Sequence, residues 1–268
     1  MIASKSQSFI EKEEKHDRAL LVSTQKVTDT IFKHFEVPEG ATVHIYNPIE
    51  KNAIGGFTAR NNKKNFVLST VPVKGDEVII EYVEPLKVAG LGVLEIASIN
   101  HDYKGIFGIT AEKGFNTSGP CNNNVICPVG DNWRDQIRSV GILLSQNNYS
   151  AGFCTGALVN NTCNDGTPYF LTANHCPAGP TSIVGFNFES LNCNTNNWAG
   201  DNHTISGTTV RASNPGSDMS LLELSSVPPV AYNVFYAGWD NSDNFPTKQI
   251  GIHHPAGDLK KISFDNNP

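Results

Sequence analysis

The spacing of apolar positions changes along the chain. Between residues 5 and 35, Leu20, Leu21, Val27, Ile31 and Phe32 recur near the helical period, which predicts a helix there. From Thr42 the apolar positions alternate instead. TVHIYN (42–47), AIGGFTA (53–59), NFVLSTVPV (65–73), DEVIIEYVEP (76–85) and GVLEIASINHDY (92–103) read as strands, with Gly, Pro, Asn and Lys-Gly-Asp turns between them. This first stretch predicts a small all-β sandwich. Beyond Cys121 the strands become short and frequent: SVGILLS, GFCTGALVN, PYFLTAN, SIVGFNFES, HTISGTTVRA, DMSLLELS, VFYAGWD and KQIGIHH. Asn, Gly and Pro punctuate them, as in a sandwich or barrel. No internal repeat or low-complexity tract interrupts either pattern.

Composition divides the chain at the same place. Residues 1–113 hold 14 Lys/Arg, 15 Asp/Glu and no cysteine, whereas residues 114–268 hold 6 Lys/Arg, 11 Asp/Glu, all six cysteines and 23 of the 29 asparagines. The GFNTSGP stretch (114–120) is the natural linker, so two modules are expected, 1–113 and 114–268. With 39% hydrophobic and 17% charged residues the chain is globular rather than disordered. A net charge of −6, without a basic stripe, argues against a nucleic-acid partner. No apolar run is long enough to cross a bilayer, and MIASKSQSFIEKEEKHDR lacks the apolar segment of a signal peptide.

Chemistry concentrates in the second module. His34, His44 and His101 stand alone in strands and read as structural. The six cysteines lie between Cys121 and Cys193 without CxxC spacing, which disfavours zinc and favours the disulfides of an exported protein. In FLTANHC (170–176), an apolar strand runs into Thr172-Ala173-Asn174, and His175 is followed at once by Cys176. A histidine held at a strand end is suited to act as a base and then as an acid. It could equally be an ordinary strand-end residue. His253-His254 invites a metal reading, but neighbours on a strand point to opposite faces and no carboxylate motif accompanies them, so no metal or other cofactor is expected.

CTGALVNNTCNDGTPYFLTANHC (154–176) resembles the corresponding segment of the lysyl endopeptidase group of trypsin-like serine proteases. CNNNVICPVGDNWRDQIRSVG (121–141), SDMSLLELSSVPPVAYNVFYAGWD (217–240) and IGIHHPAGDLKKIS (250–263) resemble further segments of that group in the same order. The first module is similar, less sharply, to the pro-regions of secreted bacterial proteases. The resemblance implies a trypsin-like double β-barrel with a triad in the order His, Asp, Ser. It assigns His175 as general base and Asp218 as the carboxylate that orients it. It also implies Cys154–Cys176 and Cys127–Cys193 bridges. Cys121 would pair outside these residues, or else be captured by Cys163, which otherwise stays a free thiol.

The third member is missing. Ser220, Ser225, Ser226, Ser242 and Ser263 follow Asp218, and none stands in the Gly-x-Ser-Gly context that the resemblance demands. Ser118-Gly119 precedes the histidine and lies in the linker. The chain therefore reads as a fragment of a secreted, monomeric serine endopeptidase precursor acting on protein substrates, with an incomplete second barrel and no acyl-enzyme chemistry of its own. Lys113-Gly114 is the expected bond for self-processing if cleavage follows lysine. The other reading is a non-catalytic homologue serving as a secreted binding or adhesion module. Retention of both His175 and Asp218 favours the enzyme.

Overall fold

A computed structural model describes residues 8–12, 15–23, 28–49, 52–75, 77–101, 117–146, 151–196, 198, 203–242, 244 and 246–266; within 8–23, Leu20 alone is described beyond its backbone. The chain divides into two compact units, Met1–Tyr103 and Lys104–Pro268, and both are built from strands. The sequence boundary at 113/114 lies outside the described residues.

The first unit contains β1 (Ser8–Lys12), β2 (Lys15–Ser23), β3 (Thr28–Glu36), β4 (Thr42–Asn47), β5 (Asn52–Phe57), β6 (Leu68–Ser69), β7 (Glu77–Pro85) and β8 (Val93–His101). They form two sheets, β1-β2-β7-β4-β5 and β6-β3-β8. Phe32 and Phe35 of β3 share a buried core with Val43 and Ile45 of β4 and with Val78, Ile80 and Tyr82 of β7. β7 follows the alternation read from sequence, burying every second residue down to Glu84. That carboxylate accepts from the Tyr82 hydroxyl at 2.6 Å and from Gly90 N–H at 2.7 Å, so its burial is matched by hydrogen bonds.

The helix expected over 5–35 is not formed. β1, β2 and β3 occupy that stretch, and in β3 a bulge contributes to the misleading pattern. The β3–β8 register shifts between Ile31 and Phe32 and again between Phe32 and His34. The first shift places its extra residue, Ala97, in β8; the second places Lys33 in β3 and breaks the two-residue alternation there. Phe32 and Phe35 therefore share the core three residues apart, and with Ile31, which is also buried, their spacing imitates one face of a helix.

The second unit contains β9 (Asn123–Asn124), α1 (Arg134–Ser139), β10 (Val140–Gln146), β11 (Ala151–Val159), β12 (Tyr169–Ala173), β13 (Ile183–Gly185), β14 (Thr204–Ser206), β15 (Thr208–Asn214), β16 (Met219–Leu224), β17 (Gln249–His253) and β18 (Lys261–Asp265). Seven strands form one sheet in the order β14-β13-β10-β11-β12-β16-β15. Its first and last strands are joined through Gly207 alone, at φ 91°, so the sheet curls until its two edges meet. Inside the curl lie Leu143, Leu158, Phe170, Val184, Phe186, Leu222 and Leu224. β17, β18 and β9 make a separate three-stranded sheet. The chain is all-β, with one curled sheet and one small sheet where the resemblance implies two barrels.

VFYAGWD (234–240) is not the strand its pattern predicts. Ala237 makes a single parallel bridge to Val159 and nothing longer among the described residues. β11 pairs with β10 only as far as Val140↔Ala157, so the edge left open beyond that pair is too short to hold another strand. The ladder that matters most for the site is β12–β16. It runs antiparallel from Tyr169↔Glu223 to Ala173↔Met219. The residues that follow β12 and those that precede β16 must therefore lie side by side.

Candidate active site

His175 is two residues beyond the end of β12, and Asp218 is the residue immediately before β16. The antiparallel ladder brings them together across 43 residues of sequence. Asp218 Oδ2 lies 2.6 Å from His175 Nδ1, and Asp218 Oδ1 accepts the His175 backbone N–H at 2.9 Å. The Asp218 carbonyl accepts Asn174 N–H at 3.1 Å. One residue thus holds the histidine by its ring, by its own backbone and by the backbone of its neighbour.

Because an ionised carboxylate only accepts, Nδ1 must carry the proton, which leaves the Nε2 lone pair available. The His175 side chain is 71% exposed, so that nitrogen can meet a substrate. Among the described residues, the imidazole has no hydrogen-bond partner besides Asp218. Asp218 itself adopts φ 50°, a left-handed conformation that aspartate tolerates better than most residues. Such a backbone costs on the order of 1–3 kcal/mol and persists only where its surroundings enforce it.

The Cys154–Cys176 disulfide joins β11 to the residue after His175, and Cys127–Cys193 forms as well. Both pairings are those the resemblance implied. Cys121 and Cys163 are free and exposed. The sulfurs of Cys154 and Cys176 cluster with His175 at metal-binding range, but they are spent in the disulfide and are not thiolate ligands. His34 stacks on Phe66 with ring centroids 4.4 Å apart, and His44 Nδ1 accepts Gly56 N–H at 3.2 Å. Burial pushes His254 down to about 3, helped by the nearby Lys260 charge, so that ring is neutral.

The hydrogen bond from His175, above all, holds the Asp218 carboxyl below the usual carboxylate range. The folded-state value is thus lower than the unfolded one. The clamp contributes its full stability above the unfolded value, about pH 4, and loses it as pH falls through the lowered folded value. Urea midpoints measured from pH 6 to pH 2 are expected to converge for wild type and Asp218→Asn as the acid limit is approached. The gap should narrow with added salt, because the pair is exposed. A gap constant across the whole pH range would contradict this account.

A histidine oriented by a carboxylate on the rim of a curled β-sheet is an arrangement chemically suited to general base and acid work. Comparison with known proteins narrows the class. Residues 115–268 match the family described as lysyl endopeptidase, C-terminal domain, and the chain belongs to that peptidase family. It is 27% identical over 215 residues to the lysyl endopeptidase of Pseudomonas aeruginosa, across 72% of this chain and 45% of that protein. The chain thus spans about half the length of the curated relative it matches. No helix among the described residues is long and apolar enough to cross a membrane.

Proposed function

We propose that this chain carries the base and the orienting carboxylate of a secreted endopeptidase that cleaves peptide bonds after lysine. The carrying observation is the clamp by Asp218 on both the His175 ring and the His175 backbone, at 2.6 and 2.9 Å. In the proposed reaction His175 Nε2 takes the proton of a seryl hydroxyl as its oxygen attacks the scissile carbonyl. His175 then passes that proton to the leaving amine, and water releases the acyl group by the same route in reverse. Asp218 stabilises the imidazolium while remaining ionised.

The proposal places the serine outside these 268 residues, because no Gly-x-Ser-Gly sequence occurs among them. Lysine selectivity rests on the family, and the Lys113-Gly114 bond is the proposed site of self-processing. Two measurements test the reading. The 268-residue chain, given an activated lysyl ester, is expected to show no stoichiometric burst of product. A burst that disappears in His175→Ala would place the nucleophile within the chain. The gene's full product, incubated with an unfolded protein, should leave peptides ending in lysine, and fragments ending elsewhere would overturn the lysine assignment.

A further inference from the structure

The loop that carries His175 is tied down on both sides to consecutive residues of one neighbouring strand. After the histidine, Cys176 is bonded to Cys154. Before it, the Thr172 hydroxyl donates to the Thr155 carbonyl at 2.8 Å. This bond takes over where the regular ladder stops, since β11 and β12 pair only as far as Ala157↔Leu171. The β12–β16 ladder brings His175 to Asp218, and residues 154 and 155 of β11 add a second pair of anchors to the same loop.

Those two residues pair with Leu143 and Ile142 of β10, and Thr155 is held in addition from a distant part of the chain. The Thr155 hydroxyl accepts the His254 backbone N–H at 2.9 Å, a contact spanning 99 residues of sequence. His254 opens a tight turn that includes Ala256 and Gly257 at φ 56° and 79°. His254 Nδ1 donates to the Asp258 carbonyl at 3.0 Å, and Asp258 Oδ1 accepts Leu259 N–H at 2.8 Å. The turn lies against β11: a Cβ added at Gly257 would come within 3.2 Å of the Phe153 ring. Asp258 Oδ2 accepts Ser118 N–H at 3.3 Å, and the buried Lys260 donates to the Ile137 carbonyl at 3.0 Å, fixing the turn to the rest of the unit.

We propose that Thr155 is a positioning residue for His175, its hydroxyl anchoring to the 254–258 turn the stretch of β11 on which both ends of the histidine loop are fastened. The inference rests on the reading of His175 as the base. Thr155 touches neither the imidazole nor the carboxylate. It acts through Cys154–Cys176 on one side and through Thr172 on the other. Valine at 155 keeps the shape and strand preference of threonine but leaves His254 N–H without its acceptor, whereas serine keeps the acceptor.

The test is the carboxyl-carbon NMR titration of Asp218 in the 268-residue chain, followed in wild type, His175→Ala, Thr155→Val, Thr155→Ser and Thr172→Val, with thermal midpoints alongside. A tight clamp keeps the Asp218 titration low, and His175→Ala should raise it toward the ordinary aspartate value, stopping short because the backbone N–H at 175 remains. Thr155→Val is expected to raise it part of the way, with Thr155→Ser staying at the wild-type position. Thr172→Val should raise it as well, and it carries the test if Thr155→Val fails to fold. A purely structural role would lower thermal midpoints without moving the titration, and that result overturns the proposal. Equal shifts in the serine and valine variants at 155 would also overturn it, because the hydroxyl would then be irrelevant. If His175→Ala itself leaves Asp218 unmoved, the His175–Asp218 coupling is absent and the reading of the site falls first.

Discussion

If His175 and Asp218 act as proposed, Asp218→Asn in a chain that also carries the nucleophile is expected to lower kcat by about 10⁴-fold with little change in KM. The geometry explains why so small a change is so damaging. The carboxylate uses both oxygens on one histidine: Oδ1 accepts the backbone N–H and Oδ2 accepts the ring Nδ1–H. An asparagine has one acceptor atom for those two donors. If its oxygen faces the backbone, its NH₂ faces Nδ1 and can be accommodated only when the ring proton moves to Nε2. The nitrogen that should take the proton from serine is then already protonated. If the amide is flipped, the tautomer is kept, but the NH₂ opposes the His175 backbone N–H and the 2.9 Å bond becomes a donor–donor contact. Either arrangement loses something the proposed transition state needs. Steady-state kinetics on a lysyl peptide substrate would settle the point. A loss smaller than about tenfold would mean that Asp218 does not set the tautomer.

Local pattern carried some of this architecture and long-range pairing carried the rest. Strand β4 is legible as TVHIYN because its alternation is intact, and the same holds for β7 down to Glu84. β3 is hidden by its bulge at Lys33, since the burial of Ile31, Phe32 and Phe35 has a helix-like spacing. His175 was visible from the apolar strand before it and the cysteine after it. Asp218, taken alone, looks like any aspartate at the head of a strand. What distinguishes it is the Ala173↔Met219 pair across the β12–β16 ladder, and no local pattern encodes that pairing. Thr155 gave no signal at all. Its role in the proposed brace depends on a turn 99 residues away, and its neighbours read only as an ordinary strand.

Phe170→Ala should destabilise the second unit by about 4 kcal/mol, within the range for buried aromatic truncation. The ring is fully buried and meets Phe186 edge-on at 6.4 Å. It is seated over two glycines. A Cβ at Gly141 of β10 would come within 3.3 Å of it, and one at Gly156 of β11 would overlap it while lying 2.6 Å from the Leu171 carbonyl oxygen. Removing the ring leaves a void whose floor has no side chains able to move in, and sheet backbone cannot collapse without breaking its ladder. The site therefore relaxes poorly, which is the condition under which the cavity contribution is largest. Trp133, Trp198 and Trp239 all belong to the second unit and are the protein's three tryptophans, so their fluorescence in urea reports its unfolding separately from the first unit. A loss below about 1.5 kcal/mol would show that the curled sheet repacks around the gap. Phe170 lies on the strand that ends just before His175, pairing with Leu222 while Ala173 pairs with Met219. A slack strand at 170 would therefore also loosen the Asp218 clamp, so the destabilised variant should show a raised Asp218 titration even under conditions where it remains folded.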